Sequence, residues 1–229
     1  MDWFNFVFLV LGGLGIFLYG IHIMGDSLKL LAGTKFKLMI EKSTNTPLKG
    51  ILVGIVVTIL LQSSSGTTAL TVGLVRAGLM TLPQAVGVII GSNIGTTVTS
   101  FLIGLQIKAI ALPIMGIGSL MLFFLPKKRV KLFGTALLGF GMIFYGLDLM
   151  GSALKTITEY PVFENTMRLV ENTPVLGVVI GAILTVVVQS SSATIGLLQE
   201  LFTTGAIPMV GAVAIVLGSN IGTTVTAVL

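Results

Sequence analysis

The chain has 229 residues, of which 54% are hydrophobic and 9% are charged, and its formal net charge is +5. Soluble domains carry about 25% charged residues, so this composition excludes an ordinary soluble domain and indicates a protein that crosses a membrane several times. In such a protein basic residues mainly report orientation, and the positive charge gives no support to nucleic-acid binding. With no cysteine and one histidine, disulfides, thiolate metal sites and imidazole clusters are excluded.

A long apolar run opens the chain. Residues from Trp3 to about Met24 are mostly apolar, and as a helix they are long enough to cross roughly 30 Å of hydrocarbon. Asp2 stands where a signal peptide carries positive charge, and no clear small-residue cleavage site follows, so we interpret the run as a retained first span. Residues 26–49 interleave lysines with apolar residues, which predicts a helix on the membrane surface.

Two short apolar arms then surround a polar segment. The first arm, residues 48–61, is too short to span the bilayer and leads into Gln-Ser-Ser-Ser at residues 62–65. The second arm ends at Arg76. This pattern predicts a re-entrant helical hairpin over about residues 48–76, with its tip in a cavity, because bare backbone at membrane depth is tolerated only where protein or water covers it. One continuous span with a polar centre is the alternative.

A further span is predicted to begin at Pro83 and to end near Leu105. Residues 91–95 of this span read Gly-Ser-Asn-Ile-Gly, and two glycines and an asparagine in mid-span predict a broken helix. Residues 109–125 form a shorter apolar span, and residues 126–131 close it with a basic cluster.

The same motifs recur after 127 residues. Gln-Ser-Ser-Ser at residues 62–65 returns at residues 189–192, and Gly-Ser-Asn-Ile-Gly-Thr-Thr-Val-Thr at residues 91–99 returns at residues 218–226. Equal order and spacing indicate an internal duplication.

We therefore divide the chain into a first repeat, residues 1–126, and a second repeat, residues 127–229. The second repeat carries its own predicted hairpin at about residues 174–200. A counterpart of the span at residues 109–125 would lie beyond Leu229, and we expect the natural protein to continue into it.

Charge predicts how the repeats are oriented. Residues 26–49 and 126–131 are basic and are expected to face the cytoplasm, whereas the more acidic residues 155–171 are expected to face outward. The first repeat then crosses the membrane three times, because its hairpin returns to the side from which it entered. An odd number of crossings inverts the second repeat, so the two hairpin tips can meet near the midplane. The predicted fold is an all-α integral membrane protein built from inverted-topology repeats.

The motifs offer chemistry for an anion and for a hard cation. Helix N-termini present free N–H groups and partial positive charge to an anion such as phosphate, and Ser and Thr hydroxyls can donate to it. Unwound carbonyls, hydroxyls and amide oxygens suit sodium. The motifs contain no acidic cluster, which argues against a divalent metal, and no Arg or Lys.

Paired Gln-Ser-Ser-Ser motifs with Gly-Ser-Asn-Ile-Gly-Thr-Thr partners resemble the sodium-dependent phosphate cotransporter family (the type II sodium/phosphate symporters and their bacterial relatives). The resemblance covers nearly the whole chain. It implies a secondary-active symporter in the inner cell membrane that imports inorganic phosphate by alternating access, with sodium as the coupling ion and no other cofactor. It implies that phosphate is bound by Gln62, Ser63, Ser64, Ser65, Gln189, Ser190, Ser191, Ser192, Asn93 and Asn220. It implies that sodium is bound by Gln62, Ser65, Thr67, Thr96, Thr97, Gln189, Ser192, Thr194, Thr223 and Thr224.

Other functions remain open from the residues alone. The same machine could carry another oxyanion or use another coupling ion, and a scaffold or sensor that transports nothing is a further alternative. An intramembrane hydrolase would need a base beside its serine, and His22, the one histidine, is far from both motifs in sequence. The expected partners are phosphate, sodium and the lipid bilayer, not nucleic acid, with a homodimer as an open alternative.

Four other ionisable residues receive simpler interpretations. His22 and its counterpart Asp148 are interpreted as residues near helix ends, where a charged tip reaches the interface. Arg76 and Glu200 end the second arms of the two hairpins, and we interpret them as interfacial or structural.

Overall fold

The computed structural model describes residues 3–33, 46–105, 107–157 and 160–226. This part of the chain is helical and contains no strand. Its α-helices are α1 (Trp3–Ala32), α2 (Pro47–Leu61), α3 (Ser64–Arg76), α4 (Leu82–Ile103), α5 (Ala111–Phe124), α6 (Lys128–Ile157), α7 (Pro161–Asn172), α8 (Pro174–Val188), α9 (Ser191–Thr203) and α10 (Met209–Thr226), with a 3₁₀ turn at Lys108–Ile110.

Among the described residues, three helical segments are long and apolar enough to cross a membrane: Phe4–Ala32, Leu82–Ile103 and Lys128–Thr156. The first corrects the predicted end of the opening span near Met24, because α1 continues to Ala32. Asp26 and Lys29 form an ion pair one turn apart on this helix, so these charges extend the helix rather than end it. The remainder of the predicted surface helix, residues 34–45, lies outside the described residues.

Helices α1 and α6 cross backbone to backbone. Gly13 lies opposite Gly146, and Gly20 lies opposite Gly139. A Cβ atom on Gly20 would come within 2.7 Å of the Gly139 carbonyl oxygen, so the absence of side chains lets the two helices touch, as small residues do in membrane bundles. Because the pairing runs in opposite directions along the two helices, α1 and α6 are antiparallel.

Helices α2 and α4 pack side by side in the same direction. A Cβ atom on Gly91 would overlap the carbonyl oxygen of Ile51, and one on Gly54 would overlap that of Val88. Helix α4 runs unbroken from Leu82 to Ile103, so the predicted break at residues 91–95 is wrong. The glycines there serve close packing, which needs the absence of Cβ as much as a break does.

Helices α8 and α10 repeat this arrangement in the second half of the chain. Gly218 packs on Val178, and Gly181 packs on Ile215. Helix α10 also runs unbroken from Met209 to Thr226, so the second predicted break is wrong for the same reason.

Helix α3 folds back along α2. The hydroxyl of Thr58 donates a hydrogen bond of 3.0 Å to that of Thr67, across the turn. Farther along α3, Leu74 packs into one buried cluster with Val53 of α2 and Val88 of α4. Since α4 then starts beside the start of α2, the chain has returned to the end from which α2 began. Helices α8 and α9 form the matching pair.

The main core lies where α1, α6 and α9 meet. Phe17 is fully buried and packs with Ile103, Ile143 and Met150. Its ring also lies against Gly196 of α9. The second half of the chain is thereby fixed to the first through α1.

Candidate functional site

Each Gln-Ser-Ser-Ser motif begins with a glutamine in the left-handed backbone region. The φ angle is 52° at Gln62 and 58° at Gln189, and residues other than glycine rarely adopt such positive values. In each, the side-chain Nε2 donates a hydrogen bond of 2.6 Å to the carbonyl oxygen three residues earlier, that of Ile59 or Val186. The glutamine thus ends α2 or α8 and satisfies one of its last carbonyl groups.

The serine that follows each glutamine starts the next helix. The Ser63 hydroxyl accepts a hydrogen bond of 3.0 Å from the Gly66 N–H, and the Ser190 hydroxyl accepts one of 3.2 Å from the Ala193 N–H. Serine is a preferred N-cap for this reason. Glutamine and serine together therefore stop one helix and start another, which leaves the last two serines of the motif in the first turn of α3 or α9.

The two motifs lie against a single cavity of about 340 Å³. We call residues 62–65 the first tip, residues 189–192 the second tip, and this space the tip cavity. Both tips line it in full, together with Leu61, Val188 and one face of α1. The volume is that of an ordinary small-molecule site, and two segments 127 residues apart in sequence supply its polar wall.

Helix ends give the tip cavity both signs of partial charge. Helices α3 and α9, of 13 residues each, begin there, and each N-terminus carries roughly half a positive charge. Helices α2 and α8, of 15 residues each, end there with carbonyl groups. N-termini favour an anion, whereas carbonyl ends favour a cation.

Three polar residues of α1 that lie outside the repeated motifs, and were not predicted as site residues, also line the tip cavity. They are His22, Asp26 and Lys29. Gly25 lets α1 approach the first tip, since a Cβ atom there would lie 3.2 Å from the Gln62 Cβ. The available signal was their spacing of four and three residues, which places them on one face of a helix.

Behind each tip two threonines form a buried hydrogen-bond chain. The Thr58 hydroxyl donates to the Thr67 hydroxyl, which itself donates at 3.0 Å to the Ser63 carbonyl oxygen. Thr185 and Thr194 repeat this towards Ser190, at 3.1 Å for both bonds. Thr58 and Thr185 were also missed, although their recurrence at the 127-residue spacing is visible in the sequence.

The predicted site residues fall into two groups. Those of the two tips line the tip cavity, with Thr67 and Thr194 buried directly behind. Six others do not line it; these are Asn93, Thr96, Thr97, Asn220, Thr223 and Thr224. Thr96 and Thr97 donate hydrogen bonds to carbonyl oxygens of their own helix, as do their counterparts in α10, which is how hydroxyls are commonly satisfied inside helices.

A second cavity, of about 440 Å³, lies between α9 and α10. Its wall is mainly apolar, with Ile195, Phe202 and Leu217 among its members. Such a wall suits hydrocarbon rather than a hydrated ion. In the described part of the chain no group of three or more His, Asp or Glu side chains could hold a metal ion.

Comparison with known proteins identifies a family that matches most of the chain. The sequence model of the Na+/Pi-cotransporter family matches residues 16–152 and again residues 150–229. The uncharacterized protein YqeW of Bacillus subtilis is 32% identical over 213 residues, which are 93% of this chain and 69% of the relative. No solved structure matches the chain.

Two further relatives carry names that mention phosphate. YjbB of Escherichia coli, whose name proposes inorganic phosphate export, is 26% identical over 96% of this chain but only 40% of its own length. Sodium-dependent phosphate transport protein 2A of Rattus norvegicus is 39% identical over 43% of this chain and 16% of its own length. This chain therefore spans less than half the length of either relative. From these matches and its apolar helices, it is a multi-pass membrane protein that belongs to the Na+/Pi-cotransporter family.

Proposed function

We propose that this protein carries inorganic phosphate across the inner cell membrane together with sodium, and that both ions bind in the tip cavity. The observation that carries the proposal is the convergence of two serine-rich helix N-termini, one from each half of the chain, on one cavity. Each N-terminus offers backbone N–H groups, partial positive charge and hydroxyl donors to phosphate oxygens. Membership of the family and the names of the relatives support the choice of phosphate.

The proposed phosphate ligands are the serines of the two tips. Ser64 and Ser191 lie in the first turn of α3 and α9, and each is 6% exposed. A phosphate oxygen bound by these hydroxyls would therefore be largely shielded from bulk water. Neither tip contains Arg or Lys, and the anion would be held by dipoles and neutral donors. Such a grip is weak enough to allow release, which transport requires.

The proposed sodium ligands lie at the carbonyl ends of α2 and α8. Gln62 Oε1 is buried and has no hydrogen-bond partner, and a buried acceptor without a partner costs free energy unless something satisfies it. A sodium ion beside this oxygen and the last carbonyls of α2 would do so. The hydroxyls of Thr67 and Thr194 lie one layer behind and complete the proposed oxygen set.

In this proposal the two halves of the chain are inverted relative to each other, and their movement opens the tip cavity to one side of the membrane at a time. Support comes from the antiparallel packing of α1 and α6, which start the two halves, and from hairpins that return to their own side. Phe17 of α1 packs on Gly196 of α9, and residues 22–29 of α1 then pass the tips. The tip cavity thus lies toward the end of α1, which the basic residues after it assign to the cytoplasm.

Direction follows from the sodium gradient, and we propose import under an inward gradient. The name of the Escherichia coli relative favours a second candidate, outward movement of phosphate by the same site. Phosphate efflux from loaded proteoliposomes with sodium absent on both sides would favour that candidate, because a sodium-coupled carrier does not move phosphate without sodium.

The test is uptake of radiolabelled phosphate into proteoliposomes with and without an inward sodium gradient. Ser64→Ala and Ser191→Ala should each reduce sodium-dependent uptake at least about tenfold, because each removes a donor aimed at the anion. The matched control is Ser152→Ala, which removes a serine of α6 whose hydroxyl bonds within its own helix. Full uptake by both tip variants would disprove the proposed site, and strong competition by unlabelled sulfate would change the cargo.

A further inference from the structure

The tip cavity has a charged rim on one side only. Among the described residues that line it, Asp26 and Lys29 are the only charged side chains, and both belong to α1. The tips contribute glutamines and serines. No described residue of α2, α3, α8 or α9 that lines the cavity is titratable near neutral pH. The formal charge that an approaching anion meets at the wall of this cavity therefore comes from α1, in addition to the partial charges of the helix ends.

Asp26 holds this rim together. One of its carboxylate oxygens lies 3.0 Å from the Lys29 Nζ, and the other lies 3.3 Å from the His22 Nε2. The Asp26 and Lys29 side chains are 48% and 42% exposed. A half-exposed pair of this kind adds little to stability, but its charges stand at the mouth of a cavity whose polar wall carries no other formal charge.

We infer that Lys29 is a substrate-attracting residue that draws the oxyanion into the tip cavity, and that Asp26 limits how tightly the anion is then held. This rests on the proposed function. A single positive charge at the mouth of a narrow cavity raises the local concentration of an anion, and a cation a few ångströms from phosphate lowers the free energy of binding directly. Partial neutralisation by Asp26 keeps the anion from being trapped.

A purely structural role makes a different prediction. Lys29 lies in the last turn of α1, where a positive charge stabilises the helix end, and its pair with Asp26 is one turn long. If the pair only stabilises α1, Lys29→Gln and Asp26→Asn both break the Asp26–Lys29 interaction and should change the melting temperature without shifting the KM for phosphate in opposite directions. If the pair sets the field of the cavity, the two substitutions change phosphate affinity in opposite directions.

The experiment measures exchange of radiolabelled phosphate in phosphate-loaded proteoliposomes, an assay that is independent of net direction. Lys29→Gln should raise the KM for phosphate roughly three- to tenfold with kcat unchanged. Asp26→Asn should lower the KM roughly two- to fivefold and slow kcat, because release becomes harder. Lys29→Arg should stay near the parent value. Added choline chloride should reduce these differences, since salt screens half-exposed charges.

Lys131→Gln is the matched control. Lys131 is exposed on α6 and does not line the tip cavity, so its loss changes the net charge equally and should leave the KM unchanged. Equal KM shifts for Lys29→Gln and Lys131→Gln, or KM shifts of the same sign for Lys29→Gln and Asp26→Asn, would overturn the inference. Phosphate exchange by the parent protein would in that case still support phosphate transport. If the folded parent protein, with a cooperative thermal unfolding transition, showed no phosphate exchange, both the inference about Lys29 and the proposed transport function would be overturned.

Discussion

The Lys108 ammonium donates a hydrogen bond of 2.7 Å to the Glu200 carboxylate, across a sequence separation of 92 residues. Glu200 is 6% exposed, and its carboxylate packs directly on Gly151. The pair joins the connection between α4 and α5 to α9, and therefore links the two halves of the chain. Along α9 it stands roughly 13 Å from Ser191, away from the tip cavity.

Removing Lys108 should lower the free energy of unfolding more than removing the charge of Glu200. Lys108→Met leaves a buried carboxylate without a partner and should lower the free energy of unfolding by about 3 kcal/mol. Glu200→Gln should cost only about 1–2 kcal/mol, because Lys108 is 30% exposed and can still reach water. Thermal unfolding in detergent measures both, with Lys108→Arg as the control that keeps the charge. Equal losses would contradict the argument from burial.

The glycines of α2 and α4 should tolerate no side chain where the helices touch. Gly91→Ala places a Cβ atom on the Ile51 carbonyl oxygen and should cost about 2–3 kcal/mol, as overpacking does. Gly218→Ala should cost the same against Val178. The matched control is Gly116→Ala in α5, where a Cβ atom meets nothing within 4 Å and stability should change by less than about 1 kcal/mol. If Gly91→Ala and Gly218→Ala lowered the unfolding temperature no more than Gly116→Ala does, these helices could separate at little cost in free energy.

Backbone and side chain should be separable at Gln62. Gly tolerates the left-handed φ of 52°, so Gln62→Gly should retain the fold to within about 1 kcal/mol. Gln62→Ala loses the same amide but also keeps a Cβ at the strained φ, so it should cost about 1–2 kcal/mol more than Gln62→Gly. Circular dichroism and thermal unfolding report the fold. Sodium dependence of phosphate exchange should be lost in both, because neither retains Oε1; sodium activation that is unchanged in the glycine variant would remove Gln62 from the proposed sodium site.

The threonine pairs should stabilise the two hairpins to the same extent. Thr58→Val removes the donor to Thr67 and should cost about 1 kcal/mol, and Thr185→Val should do the same in the second half. Thr58→Ser keeps a hydroxyl and serves as the control. Thermal unfolding of the single and double variants should give additive losses, because the pairs share no atoms. A double variant as stable as either single one would mean that only one hairpin limits stability.

Some features were predictable because their cause is local. The glutamine and serine at each tip end one helix and start the next through bonds within four residues, so the motif itself indicates two short helices. The mid-span glycines were ambiguous, because a helix break and a backbone contact both need the absence of Cβ. What decides between them is a partner such as Ile51 on another helix, and a local pattern does not contain it.

The contribution of α1 to the tip cavity was not predictable, because it depends on contacts between segments that are far apart in sequence. Asp26 follows a long apolar run and therefore suggested the end of a span. In the structure it pairs with side chains one turn before and one turn after it, at His22 and Lys29, which keeps the helix intact. That this face of α1 meets both tips follows from the packing of α1 on α6 and α9, which no short pattern of residues records.

The backbones of the two tips are near copies, with Ser63 at φ −152° and Ser190 at φ −153°. Two equal walls present the same dipoles from both sides and, by themselves, give the cavity no front or back. Helix α1 removes this equivalence: His22 lines the cavity, while its counterpart Asp148 on α6 does not. A duplicated scaffold thus acquires one distinct side through a few side chains on a single helix, and exchanging those side chains between α1 and α6 would take the charges away from the cavity and restore the equivalence of its two walls.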